Sequence, residues 1–166
     1  GFLIVFAVCA WAGVYDDMIR AIKIDDDRTV ADLLKRGVDV DSVSADGESL
    51  LMLAVREGKS SMVKTLLAAR PKVNARNAYG ETALMLAALR GQTEIVRLLV
   101  DRGAEINHPG WTPLMYSAAN NRVDIARILI GRSAEVNAEA ENGTTALMMA
   151  AREGHLQMVL LLLEHG

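Results

Sequence analysis

The chain repeats itself, and that constrains it more than any other property. Gly47, Gly80, Gly110 and Gly143 each open a matching block: GESLLMLAVREG, GETALMLAALRG, GWTPLMYSAANN and GTTALMMAAREG, at spacings of 33, 30 and 33 residues. Each block runs on into a second apolar-periodic segment: SSMVKTLLAA, TEIVRLLVDR, VDIARILIGR and LQMVLLLLEH. A period in this range means that each copy is one supersecondary unit. It cannot bury its own apolar face and must stack on its neighbours.

The most regular copy, Gly80 to Asn107, reads as two short helices back to back. Thr82 sits where a side-chain oxygen can cap the first helix. Leu84, Leu86, Ala87 and Ala88 give that helix an apolar side, and Gly91 stops it in a left-handed turn. Thr93 and Glu94 open the second helix, Ile95, Val96, Leu98 and Leu99 form its buried stripe, and Gly103 ends it. Ser49, Thr112 and Thr145 occupy the cap position in the other copies, each worth about 1 kcal/mol. Pro113 falls at the first helical position, where a missing N–H is harmless. Gly58 and Gly154 repeat the stop at Gly91, and Asn121 takes that place in the third remaining copy. Asn is the next-best residue for a left-handed turn.

Composition agrees with packed helices. Hydrophobic residues make up 51% of the 166 positions but aromatics only 4%, so Leu, Ala, Val, Ile and Met must fill the core. A formal net charge of −3, with both signs interspersed, argues against a nucleic-acid partner, which wants a basic face. One cysteine, Cys9, excludes an internal disulfide framework and a multi-cysteine zinc site.

These blocks resemble the ankyrin repeat, whose pattern runs G-x-T-P-L-H-x-A-A-x-x-G-H-x-x-I-V-x-x-L-L-x-x-G-A-x-x-N. Thr112-Pro113-Leu114, Gly154-His155 and Gly103-Ala104 keep the pattern where they stand. The resemblance covers residues 13–166. It implies an all-α fold, a solenoid of stacked helix-turn-helix units with short β-hairpin fingers. The expected divisions are a capping-like repeat at 13–45, repeats at 46–78, 79–108 and 109–141, and a truncated repeat at 142–166. The first copy lacks the cap-Pro-Leu segment and is rich in charge (Asp16, Asp17, Arg20, Lys23, Asp25 to Arg28), as a polar end repeat should be.

Departures from the pattern carry expectations of their own. The family's His is Met at 52, 85, 115 and 148, and these should form a packed column, since a Met here can only pack. Four such residues make a poor metal site, being about 10 Å apart from helix to helix. Arg70-Pro71 and Ser133 replace the Gly that ends the second helix. A left-handed turn there costs about 1–2 kcal/mol, so these turns are strained or take another form. The finger at Asn107-His108-Pro109-Gly110 is three residues short and should be stunted, with His108 at its tip. In the last copy Leu160 stands where Lys64, Arg97 and Arg127 stand in the others, and the sequence stops at Gly166 where another finger should begin. A further repeat or cap is expected beyond it.

Residues 1–12, GFLIVFAVCAWA, carry no charge. Ala10-Trp11-Ala12 before Gly13 fits a signal-peptidase site, so the stretch reads as the remnant of a secretory signal. It is short for a membrane span. Two alternatives remain: an apolar helix packed on the first repeat, and a membrane anchor formed by the uncleaved segment. Export would place the protein in a bacterial periplasm or outside the cell; otherwise it is cytoplasmic.

No catalytic motif is present: no HExxH, no GxSxG, no phosphate loop and no dinucleotide glycine fingerprint. The expectation is therefore no enzyme, no catalytic residue, no cofactor and no metal. Asp25-Asp26-Asp27 reads as a solvated loop, because neither the glycine nor the glutamate of a calcium loop follows. Asn142-Gly143-Thr144 is a formal glycosylation sequon.

The resemblance implies a protein-binding groove formed by the finger tips and the exposed side of the first helices. Mapped here, the candidate contacts are Arg56 and Glu57, Tyr79 and Glu81, Leu89 and Arg90, Trp111, Asn120, and Arg152 and Glu153. Tyr79 and Trp111 stand out in a chain this poor in aromatics, and Trp, Tyr and Arg dominate interface energies. Tyr79, Leu89, Arg90 and Trp111 are expected in one patch; otherwise Trp111 folds over the shortened finger and Tyr79 packs on its own. The leading functional expectation is a non-catalytic scaffold for a protein partner. Two others are a self-associating element acting through the apolar last repeat as a homo-oligomer, and the targeting or regulatory part of a longer enzyme or channel.

Overall fold

The computed structural model describes the backbone of residues 2–166 and the side chains of residues 13–166. The expected signal remnant, residues 1–12, lies outside the described side chains. Ten helices occur among the described residues: α1 (Phe2–Lys23), α2 (Asp27–Lys35), α3 (Leu50–Glu57), α4 (Ser60–Ala68), α5 (Ala83–Arg90), α6 (Thr93–Asp101), α7 (Pro113–Ala119), α8 (Val123–Gly131), α9 (Ala146–Arg152) and α10 (Leu156–His165). They divide between two compact units, Gly1–Gly80 and Glu81–Gly166.

In the first unit α1 pairs with α2 and α3 with α4, while α1 packs on α3 and α2 on α4. Met18, Ala21 and Ile22 of α1, Val30 and Leu33 of α2, Leu50 to Val55 of α3, and Met62, Val63, Leu66 and Leu67 of α4 form its core. In the second unit the pairs are α5–α6, α7–α8 and α9–α10. Here α5, α7 and α9 make one layer and α6, α8 and α10 the other. The core is aliphatic and sulfur-bearing, as the lack of aromatics requires: Leu84, Met85, Ile95, Leu99, Leu114, Met115, Ile125, Leu129, Met149, Met158, Leu161 and Leu162 are all buried.

The helix starts follow local chemistry. Ser49, Thr82, Thr112 and Thr145 each accept a bond from the backbone N–H three residues on. Asp26 does the same for α2: its carboxylate accepts from the Thr29 N–H at 3.1 Å and the Thr29 hydroxyl at 2.6 Å. The hydroxyl bond, with the backbone one behind it, holds the Asp26 carboxyl below the usual range. The acidic run read as a solvated loop is that loop at Asp25 and Asp26, between α1 and α2; the correction is confined to Asp27, the first residue of α2, and to the capping role of Asp26.

The methionine column holds only in part. Met52, Met85 and Met115 are buried, but Met148 is 58% exposed. Inner first helices are covered by the following first helix, as α5 is by α7 and α7 by α9; among the described residues no further first helix packs on α9. Nor does Met85 only pack. Its sulfur accepts a bond from the Thr82 N–H at 3.3 Å while Thr82 caps Met85, a reciprocal capping box with sulfur in the place of a carboxylate.

Fingers are turns more than hairpins. Among the described residues the β pairing is one isolated antiparallel bridge, Val43 to Ser49. In the shortened finger His108 is buried, not at the tip, and its Nδ1 lies 2.8 Å from the Pro109 carbonyl. Asn107 joins this finger to the next: its Nδ2 donates to the Ser133 carbonyl at 2.8 Å and its Oδ1 accepts from the Glu135 N–H at 2.9 Å. Arg70 and Ser133 take the left-handed conformation, at φ 56° and 66°, in place of Gly. Gly91 is fixed twice over. Its φ is 75°, and an added Cβ would meet the Arg122 guanidinium at 2.8 Å.

Candidate functional site

Among the described residues each unit carries a polar cluster on its finger and first-helix side. In the second unit Glu81 precedes the Thr82 cap, Trp111 precedes the Thr112 cap, and Tyr116 lies one turn into α7. The Trp111 and Tyr116 rings are 5.6 Å apart between centroids and tilted by 52°. Such a tilted pair is worth about 0.5–1.5 kcal/mol beyond its burial. The Tyr116 hydroxyl donates to Glu81 Oε1 at 3.4 Å, and Asn120 Nδ2 donates to the Tyr116 carbonyl at 3.0 Å. Burial first, then the Glu81 charge and its hydrogen bond, push the Tyr116 phenol up to about 12. It is a neutral donor at any physiological pH.

In the first unit a cleft of about 230 Å³ is lined by Tyr15, Ile19 and Lys23 of α1, Ser44, Asp46 and Glu48 of the finger, and Arg56 of α3, among others. Tyr15, Ile19 and Lys23 stand four residues apart, so one face of α1 forms its wall. Arg56 pairs with Glu48 at 2.8 Å. Burial raises the Glu48 carboxyl despite that guanidinium, and burial followed by the Glu48 and Asp16 charges raises the Tyr15 phenol.

The expected contact residues are therefore placed as follows. Glu81, Trp111 and Asn120 meet through Tyr116, and Arg56 lines the first unit's cleft. Glu57 is exposed at the end of α3. Arg152 and Glu153 pair with each other at 2.9 Å at the end of α9. Leu89 is half-buried and Arg90 exposed; neither hydrogen-bonds nor ion-pairs with the Trp111 cluster among the described residues. Tyr79 is 81% exposed, so it does not pack on its own finger. It belongs to the first unit, whereas Leu89, Arg90 and Trp111 belong to the second.

Tyr116, Tyr15, Ile19 and Lys23 were not among the expected contacts. For Tyr116 a signal existed. It follows Met115, where the other copies carry Leu53, Leu86 and Met149, so an aromatic at that register marks a first-helix position altered from plain core. For α1 the signal was weaker, because the first copy lacks the motif that aligns the others.

Among the described residues no group of three or more His, Cys, Asp or Glu side chains could hold a metal ion. Nor is any helix among them long and apolar enough to cross a membrane.

A family model described as ankyrin repeats (3 copies) matches residues 18–109 and again 107–166. The chain belongs to the ankyrin repeat family, and its fold is an all-α repeat solenoid. Ankyrin repeats are in general protein–protein interaction modules, and the fold is typically non-catalytic. No curated protein matches the chain.

Proposed function

We propose that this chain is a non-catalytic scaffold that holds a protein partner against its fingers and first helices. The Glu81–Tyr116–Trp111 cluster carries the reading. Trp111 is 41% exposed in an aromatic-poor chain, yet it rests on a second ring that is itself tied to a carboxylate. An exposed ring held by neighbours loses little freedom on docking, which is the property of an anchor residue. Within the second unit Leu89, Arg90, Arg152 and Glu153 extend the same surface by their register in the repeat; Arg56, Glu57 and Tyr79 hold the corresponding positions of the first unit.

Affinity capture tests this with wild type, a Trp111→Ala/Arg90→Ala variant, and an Arg97→Ala control on the opposite helix layer. The double variant should lose partners that the control keeps. If both recover the same proteins in the same amounts, the groove reading fails. Export to a periplasm or the extracellular space belongs to the same proposal and is supported by the charge-free stretch at 1–12. Mass analysis of the mature protein should find Gly13 at the N-terminus; a chain that keeps Trp11 refutes it.

A further inference from the structure

Helix α10 has two apolar faces. Met158, Leu161 and Leu162 point into the second unit and are buried. Leu156, Leu160 and Leu163 do not; they are 68%, 52% and 57% exposed. Their spacing, four residues and then three, is that of the a and d positions of a helix-pairing seam. At about 100° per residue the three fall on one narrow stripe, opposite the side that faces the core. Leu160 is the telling position, since the other second helices carry Lys64, Arg97 and Arg127 there, all exposed. Stacking within the unit does not account for a leucine at that point.

Charge around the stripe says what would cover it. Glu164 lies near the C-terminal end of α10. Beside its N-terminal end runs a cleft of about 520 Å³ lined by Arg122 and Arg127, with Asp124 and Gln157 among its other residues. Arg122, Arg127 and Glu164 make no ion pair among the described residues. Gln157 and Glu164 share one edge of the stripe, the edge toward α8. A two-fold axis across the stripe sets two α10 helices antiparallel and brings like edges together. Leu156 then meets the second copy's Leu163, and the two Leu160 side chains meet near the axis. Each Glu164 approaches the other copy's Arg122 and Arg127 end, where two cations outweigh Asp124. The same arrangement lays each helix C-terminus beside the other's N-terminus, the favourable sense for the helix dipoles. A parallel pair would instead set the two Glu164 on opposite edges of the seam, each at the far end from the other copy's Arg122.

We propose that the Leu156–Leu160–Leu163 stripe is a self-association surface, through which two copies of this chain pair α10 against α10 in antiparallel register. A seam of three leucines is small, so the dimer is concentration-dependent.

Sedimentation velocity over concentrations of the order of 1 to 100 µM reads the dissociation constant directly. Wild type should shift from monomer toward dimer across that range. Leu160→Arg installs the residue that α8 carries at the same register, so the fold tolerates it, and far-UV circular dichroism checks this. It should raise the dissociation constant by roughly a hundredfold. Glu164→Arg should raise it by about fivefold, and adding Arg127→Glu should restore it. A wild type that stays monomeric throughout, its stripe left to another helix or to a further repeat, overturns the proposal. So does a Leu160→Arg variant that dimerises as tightly as wild type, and so does a charge exchange that fails to restore the loss.

Discussion

Ser133→Gly should stabilise the protein. Ser133 sits at φ 66° in the turn after α8, where the equivalent turns after α2 and α6 use Gly37 at φ 90° and Gly103 at φ 83°. A side chain held left-handed costs about 1–2 kcal/mol. Ser133 recovers none of it through its hydroxyl, which is exposed and makes no hydrogen bond among the described residues. Its useful bonds are backbone ones: its N–H donates to the Ile130 carbonyl at 3.0 Å, and its own carbonyl accepts from Asn107 Nδ2 at 2.8 Å. Glycine keeps both. Against the gain stands the greater freedom of glycine in the unfolded chain, about 0.5–1 kcal/mol. The net expectation is a gain of about 0.5–1 kcal/mol, or about 1–4 °C in the midpoint of thermal unfolding followed by circular dichroism. Asn121→Gly, at φ 53°, should gain less, because Asn tolerates this conformation. Gly103→Ser is the mirror control and should lose about 1 kcal/mol. If Ser133→Gly lowers the midpoint while Gly103→Ser leaves it unchanged, the assignment of strain to this turn is wrong.

Met85→Leu should cost about 1 kcal/mol more than Met115→Leu in urea unfolding, because only the first strands a buried N–H, that of Thr82, which now reaches the Met85 sulfur. Gly91→Ala should cost about 2 kcal/mol by the same assay, from a left-handed alanine and a contact with Arg122, and Arg122→Ala should relieve part of it. Tyr116 should contribute to alkaline unfolding. Its folded pKa, about 12, lies above the ordinary phenol value of 10.0, so its contribution is intact below about pH 10 and is lost as the pH rises toward 12, while the unfolded phenol ionises first. Tyr116→Phe should remove the late component of the phenolate absorbance titration and flatten that loss of stability; an unchanged late component would refute the burial argument.

Helix boundaries were legible in the sequence because they are decided within three or four residues. A Thr at the cap, a Pro after it and a Gly at the stop act on the nearest backbone groups, so their spacing alone places α5, α7 and α9 and ends α3 and α5. What the sequence did not reveal depends on neighbours. Met148 copies Met115 in register yet is exposed, because burial of that face belongs to the helix stacked against it and not to the residue. His108 looked like a fingertip because a short connection was counted but not folded. Drawn inward, the ring is buried and turned onto the Pro109 carbonyl, and its Nε2 finds no partner among the described residues. The sulfur in the Thr82 capping box was unreadable for another reason: Met is a weak acceptor, and only a fixed geometry makes it one.

The candidate site was half legible for the same reason. Register places Glu81, Trp111 and Asn120 on one side of the second unit, and that much is local. Their meeting is not: Glu81 comes from one repeat, Trp111 and Tyr116 from the next, and the residue that joins them is the one the repeat pattern treats as core. Tyr116 occupies a leucine's place in α7 and spends its ring on Trp111 and its hydroxyl on Glu81. That substitution turns an exposed indole, which would have to be ordered by a partner, into one ordered beforehand. An aromatic contact gains affinity chiefly by avoiding that ordering cost, about 0.5–1.5 kcal/mol for each immobilised side chain. Tyr79, at 81% exposed, has no such support from a ring. The two aromatics that composition alone singled out as equals are therefore unequal as anchors, and the difference lies in a third aromatic whose importance only the packing discloses.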